Sequence, residues 1–474
     1  MTYYRVRITG HLHTLSELHI GSGEVVVEQP LDKADTTDEH KSEPSAVLLD
    51  AMGKPYIPAS TLRGFLRSQL PTEQADILFG SGNQGKESKG VGMIGLVRIY
   101  DARWLSYQEA DLSIRTRTKI DAVTQTAEQH CLHSHQLVPV NTCFKVEIEI
   151  DQRSTVLVSN SASAGLKELD HSLIQALLNA LTSFDKNATA QLGKGKSVGQ
   201  GRLQWELETL EAITLDQLNA WARAKDERRL KDCYQSIQDQ FDTKTPLTTA
   251  WQVLPFQLQA TAPLLINNPD DAEANSEEVG APKQIFLKRV GETAQAVIPA
   301  STLKGWCRAQ CRRILLTLTQ NTQVDTVDSL LQQLFGSTDQ VGVLRFYDAT
   351  VSYTEGDIHL QTFNAVDRFT GGVKEGALYS VKALYPKTTF EGQVAYQGTL
   401  DLWMQWLLLL VWRDAEEGDL VLGSDKAKGY GQLILKGFKQ GAQAYFAKHQ
   451  AILQLGANEL AQKLHRTTGT GAAA

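Results

Sequence analysis

Four kinds of residue cluster in this chain have types and spacings that could do chemistry. Two glycine-rich segments carry paired lysines. Leu192-Gly-Lys-Gly-Lys-Ser-Val-Gly-Gln-Gly-Arg-Leu203 holds Lys194 and Lys196, and Leu422-Gly-Ser-Asp-Lys-Ala-Lys-Gly-Tyr-Gly-Gln-Leu433 holds Lys426 and Lys428. Glycine lets a ligand approach the backbone closely, and lysine supplies charge directed at phosphate. Two helical patterns carry basic polar faces, Arg63 and Arg67 on one and Lys304, Arg308 and Arg312 on the other. Such faces are often only solvated, but beside a glycine–lysine loop they read as a phosphate surface. Two acidic segments follow, one with Asp32, Asp35, Asp38, Glu39 and Glu43, the other with Asp270, Asp271, Glu273, Glu277 and Glu278. Acidic loops are commonly just solvated, yet a carboxylate beside a bound phosphodiester could hold a divalent ion or assist proton transfer. The fourth cluster, His130, Cys131, His133 and His135 with Cys143 beyond, has zinc-ligand types without the paired short spacings of zinc modules. Cys307 and Cys311 lie four apart on an apolar helix pattern, which favours core packing over ligation.

The elements that must position these residues occur twice. Tyr56-Ile-Pro-Ala-Ser-Thr-Leu-Arg-Gly64 returns as Val297-Ile-Pro-Ala-Ser-Thr-Leu-Lys-Gly305, Leu78-Phe-Gly-Ser81 as Leu334-Phe-Gly-Ser337, and Arg98-Ile-Tyr-Asp-Ala102 as Arg345-Phe-Tyr-Asp-Ala349. With the glycine segments the offsets are 241, 256, 247 and 230, in the same order along the chain. That is a tandem duplication of one domain. The boundaries expected are a first domain over 1–210, a helical linker over 211–245, a second domain over 246–440, and a C-terminal helix and flexible tail over 441–474. Two copies suit a protein that makes the same contact twice along a repetitive ligand.

Within each copy the periodicity reads strand, helix, strands, helix, strand. Arg5 to His13 and Gln252 to Ala260 alternate as strands. A helix follows Ile-Pro-Ala-Ser, with Ser60 or Ser301 as the expected N-cap. Val97 to Tyr100 reads as a strand, Ser172 to Phe184 and Leu402 to Trp412 as buried helices, and Arg202 to Glu206 as a closing strand. The fold class expected is α+β, two tandem ferredoxin-like domains, a frame shared with RNA-recognition folds. A dinucleotide-binding loop should leave a strand and open a helix; the one at 193–201 leaves a helix and enters a strand, which argues against a nucleotide cofactor.

Composition narrows the function classes. A length of 474 residues favours several domains, and 42% hydrophobic with 21% charged residues is an ordinary globular balance. The start, MTYYRVRITG, lacks the apolar core of a signal peptide. The apolar run Leu402 to Trp412 is too short to span a bilayer. Five scattered cysteines fit a reducing compartment, so a cytoplasmic location is expected and membrane partners are not. The net charge of −7 is misleading: residues 32–43 and 270–278 contribute −3 and −5, leaving the rest slightly positive.

Taken together, Leu18-His-Ile-Gly-Ser-Gly23, Ile57-Pro-Ala-Ser-Thr-Leu-Arg-Gly64, Leu78-Phe-Gly80, Tyr100-Asp-Ala102, Ile120-Asp121 with Thr124, and the closing glycine loop resemble the RAMP superfamily of CRISPR-associated proteins. The second copy adds Pro299-Ala-Ser-Thr-Leu-Lys-Gly305, Leu334-Phe-Gly336, Tyr347-Asp-Ala349, Val366-Asp367 with Thr370, and Gly423 to Gly431. The whole is similar to a fused two-domain backbone subunit of a type III, III-D-like, effector complex.

The resemblance implies guide RNA (crRNA), complementary target RNA and other effector-complex subunits as partners, in antiviral defence. It implies RNA contacts at Arg63, Arg67, Lys194, Lys196, Lys304, Arg308, Lys426 and Lys428, and thumb hairpins at Ile120 to Cys143 and Val366 to Lys387. It further implies endoribonuclease activity, by attack of the neighbouring ribose 2′-hydroxyl, with a divalent metal, Mg2+, and a loop aspartate. Asp32, also the metal ligand, stands first and Asp35 second. Asp270 and Asp271 are the counterparts in the second copy, where Asn267 and Asn268 replace the glycine lead-in. Two alternatives remain at this stage: a non-catalytic guide-RNA scaffold, and a guide-processing endoribonuclease using His11, His13 or His19 as acid and base.

Overall fold

A computed structural model of the protein describes residues 3–26, 44–81, 93–105, 112–121, 126–128, 131, 133–151, 171–185, 190–224, 229–245, 251–267, 283–284, 287–290, 293–374, 377–436 and 450–468. The long first strand, Tyr3–Thr14, alternates Val6, Ile8 and Leu12 into a core with Arg5, Arg7 and Thr9 away from it. It lies between two antiparallel partners: Cys143–Asp151, with Arg5 opposite Asp151, and Leu203–Thr214, with Tyr3 opposite Thr214. Val97–Ile99 and Ala102–Trp104 continue the sheet beyond Cys143–Asp151. Numbering the four strand positions along the chain gives the spatial order 4-1-3-2, the split βαβ of a ferredoxin-like fold.

The second copy repeats it. Trp251–Ala260 lies between Thr389–Gln397 and Gln432–Lys436, with Leu344–Phe346 and Ala349–Ser352 on the far side. The two domains are tandem ferredoxin-like α+β units.

Helices Ala59–Ser68 and His171–Thr182 cover the core face of the first sheet, and Ala300–Leu318 and Leu402–Glu417 that of the second. Leu62 and Leu66 are fully buried, as are Cys311 and Leu315. Cys307 and Cys311 pack in the second core, and burial pushes the Cys311 thiol well up from its usual value. The helix Gln450–Thr468 packs on Leu402–Glu417, burying Leu460, with the Trp403 amide donating to Glu459 at 3.3 Å. Between the domains, Leu203–Thr214 runs well past the expected Glu206 into the helix Leu215–Arg223.

The expected serine caps are absent. Helix one begins at Ala59 behind Pro58, and its first amide donates to Asp101 Oδ1 at 2.8 Å; Ala300, behind Pro299, donates to Asp348 Oδ1 at 2.8 Å. Ser60 and Ser301 already lie inside their helices, two residues past the cap positions held by Pro58 and Pro299. The repeated Tyr-Asp-Ala motif therefore supplies the cap from the short connection between two strands, and a carboxylate also complements the positive end of the helix dipole. The hairpins begin earlier than the resemblance implied. They pair Ser113–Arg117 with His133–Leu137, and Ile358–Phe363 with Tyr379–Leu384, because strand alternation already holds at 113 and 358.

Asp101→Ala is expected to cost about 1 kcal/mol, the usual value of a lost cap. Asp348→Ala should cost more, since Asp348 also pairs with Arg115, whose side chain is only 9% exposed. Urea unfolding of the two variants measures the difference.

Candidate nucleic-acid interface

The basic faces of the two first helices turn partly inward. Arg63 donates to the Phe79 carbonyl, and Arg67 donates to Gly80 O and pairs with Asp76. Arg308 repeats this at 3.3 Å to Gly336 O, the corresponding glycine, and Arg312 pairs with Asp328 at 3.0 Å. Arg67 and Arg308 thus fasten their helices to the Leu-Phe-Gly turn. Arg63 stays exposed.

The glycine loops owe their glycines to their own packing. Gly193 and Gly423 have φ of 74° and 86°, and a Cβ on either would fall 2.2 Å from the carbonyl oxygen of His19 or Leu265. The Lys194 amide is used on His19 O at 2.9 Å and that of Ser424 on Leu265 O at 2.8 Å. These amides are therefore spent inside the protein, and only the lysine side chains face outward. Lys194 and Lys426 are exposed. Lys428 folds back: it pairs with Asp425 at 2.9 Å, donates to Tyr379 Oη and lies over the Phe363 and Tyr379 rings.

The first loop docks on the second domain. Val198 packs against the second core, Lys304 Nζ donates to Ser197 Oγ at 3.0 Å, and Arg202 lies over the Tyr347 ring at 4.9 Å. Gly199 passes so close that a Cβ would sit 2.9 Å from Phe346 O. From the first hairpin, Arg115 joins Glu17 and Asp348, each at 3.3 Å.

This junction concentrates positive charge. Burial and then Arg345 push Lys196 down, whereas Lys119 is held up by its bond to Glu128 against an opposing effect of Arg308. Burial first, then repulsion from Arg308 and Arg117, pushes Lys304 down to about 8. Burial and Arg115 push Arg117 down to about 10. Its Nε has no hydrogen-bond partner among the described residues. The nearby carboxylates are already engaged, Glu17 and Asp348 by Arg115 and Glu128 by Lys119 at 2.6 Å. Cations held together at such a cost form a surface complementary to a polyanion. Arg115, Arg117 and Lys119 were not singled out in the sequence; the only trace is the alternation of basic residues with threonine in Ser113-Ile-Arg-Thr-Arg-Thr-Lys119.

The open face of the first sheet is different. Arg5 meets Asp151 at 2.5 Å, Arg98 meets Glu149 at 3.5 Å, Arg7 meets Glu149 at 3.8 Å, and Tyr234 lies under Arg7. The charges of this face pair with one another.

Asp32, Asp35, Asp270 and Asp271 lie outside the described residues, as does His130. No group of three or more His, Cys, Asp or Glu residues able to hold a metal occurs among the described residues. His11 and His13 face away from the core, His13 within 3.1 Å of Glu206. His19 and His135 are buried at the base of the first hairpin, ring centroids 5.2 Å apart, with His133 beside His135. His19 is held by Gln136 O at 2.7 Å. Burial, then Lys194 and the neighbouring histidines and Arg117, pushes His135 down to about 4.

Two ferredoxin-like units, joined through a glycine loop and each bearing a hairpin, define a tandem class of protein. A family model of the RAMP superfamily matches residues 11–204 and again 240–434. The chain belongs to the RAMP superfamily, a family associated with CRISPR effector complexes and RNA binding. A search of curated proteins finds no match. Among the described residues no helix is long and apolar enough to cross a membrane.

Because His135 is depressed in the folded state, the unfolded chain takes up its proton first as pH falls. Stability should therefore fall between the ordinary 6.5 and about 4, by at most about 1.4 kcal/mol per pH unit. His135→Gln should flatten that dependence in denaturation curves measured across the window.

Proposed function

We propose that the protein is a guide-RNA-binding backbone subunit of a type III CRISPR effector complex. The observation that carries this reading is the cation tract at the domain junction, where Arg117, Lys119, Lys304 and Arg308 from both domains influence one another. A phosphodiester backbone laid along it relieves their mutual repulsion and pulls Lys304 back toward full charge. Lys194, Lys196 and Lys426 extend the tract. Arg67 and Arg308 contribute through the turns they fasten, so their loss weakens folding as well as binding.

Target-RNA cleavage belongs to this proposal. In this reading Asp32, with Asp35 second, would be the carboxylate that holds Mg2+, and the first domain would be the one that cuts, with Asp270 and Asp271 the weaker counterparts. A bound Mg2+ supplies charge stabilisation at the scissile phosphate. In support, this acidic segment follows the strand Gly21–Val25 in sequence. Asp32→Ala and Asp35→Ala in the assembled complex, assayed on a labelled complementary RNA, should remove one cut and leave binding intact. An unchanged pattern in the double variant would reject the assignment and leave the scaffold reading.

RNA copurified with the protein should include a short species with repeat-derived ends, and its absence rejects the CRISPR role. Affinity for RNA should fall with salt and with pH above about 8, where Lys304 loses its proton in the free protein. Lys304→Arg should remove the pH dependence while keeping the salt dependence.

A further inference from the structure

The duplication places an occupied contact in the second domain beside its open counterpart in the first. In the second domain Lys304, Phe346, Tyr347 and Asp348 form a seat for the glycine loop 193–201. The corresponding residues of the first domain are Arg63, Ile99, Tyr100 and Asp101, at the repeat offsets of 241 and 247. Covered by the loop, Tyr347 is 6% exposed; Tyr100, its counterpart, is 40% exposed. Asp101 is exposed too, as are Arg63 and Arg98, which line a cleft with Phe79 and Val97. At the other end, residues 426–429 of the second glycine loop are exposed, and the contacts of Lys428 among the described residues, with Asp425, Phe363 and Tyr379, lie within its own domain.

The open loop does not match the open seat. Position for position, Ser197 becomes Ala427, Val198 becomes Lys428 and Arg202 becomes Gln432. The hairpin bridges Ile120–Ala127 and Val366–Val373 share one offset, which makes Gln361 the counterpart of Arg115. In a head-to-tail contact between two copies, Arg63 would find no hydroxyl at 427. The Lys428 ammonium would replace an apolar side chain and meet Arg63 and Arg98. Asp101 would face an amide in place of Arg115, and Tyr100 would lose the guanidinium over its ring. All four contacts seen within the chain are removed, and one becomes repulsive.

We propose that the Arg63–Tyr100–Asp101 face is a seat for the glycine loop of a different chain, one carrying a hydroxyl and a branched aliphatic residue as the first domain's loop does, and that the second domain's loop excludes a second copy of this protein from it. The proposal rests on the contact within the chain and stands whether or not RNA is the ligand. A head-to-tail contact between identical chains propagates without limit unless it closes; Lys428 stops that growth after one chain.

Sedimentation velocity on the nuclease-treated full chain tests it, with an engineered copy as the probe partner. Wild type should remain single at every concentration. The triple variant Ala427→Ser, Lys428→Val, Gln432→Arg should form dimers and longer chains, and adding Tyr100→Glu should return it to single copies. Wild-type chains that Tyr100→Glu abolishes would overturn the exclusion of a second copy. A folded triple variant that stays single, or association by either protein that ignores Tyr100→Glu, would overturn the seat. Should the triple variant unfold, Lys428→Val alone, at an exposed loop position, takes its place with the same outcomes.

Discussion

Asp348 is where the requirements of the two domains meet. Its carboxylate caps the Ala300–Leu318 helix through the Ala300 amide and also receives Arg115 from the other domain's hairpin. Because one carboxylate serves both, the position of that helix, and with it Lys304 and Arg308, is tied to the hairpin that carries Arg117 and Lys119. The cations are brought together by Arg115, which is held between the two carboxylates of Glu17 and Asp348. A buried ion pair contributes little net stability after desolvation; its value here is geometric, because it sets one domain's register against the other. In the first domain Asp101 performs only the capping half of this work.

The glycine loops show how one backbone can serve two ends. Both loops keep the same left-handed turns, with Gly195 answered by Asp425 at φ of 57°. The backbone requirement has been retained and the side chains at the tips have diverged. In the first loop Val198 contributes about 1 kcal/mol by partial burial in the second core. In the second, Lys428 lies back over two aromatic rings and keeps the tip charged.

Much of this architecture is legible in the sequence. The order of the four repeated motifs, the alternation of Arg5 to His13 and the apolar stripe through Leu62 and Leu66 point to two ferredoxin-like units, because burial patterns are local in sequence. What failed was of another kind. Ser60 looked like a cap because caps are usually adjacent in sequence, yet Asp101 reaches the helix from the connection between two strands. Arg67 and Arg308 looked like a phosphate surface because nothing in one sequence says that a carbonyl across a turn will claim them. Lys304 and Arg308 are legible as basic residues, but that Arg117 joins them is not, because it comes from the other domain. The acidic candidates fall outside the described residues, so their reading rests on spacing alone.

The placement of the first strand governs how the molecule must be made and divided. Tyr3–Thr14 is central, with its partners at Cys143–Asp151 and Leu203–Thr214. During synthesis, then, the earliest strand waits with both edges unpaired until residues far downstream emerge, a slow, long-range closure that leaves an apolar face open to aggregation. A fragment ending before Leu203 keeps one bare edge beside that strand for good. A fragment ending after Thr214 completes the sheet but still presents Val198 to water, since the surface that covers it is made only with the second domain. The chain has therefore no cut that yields a fully dressed N-terminal half, and its two ferredoxin-like units are better handled as one piece.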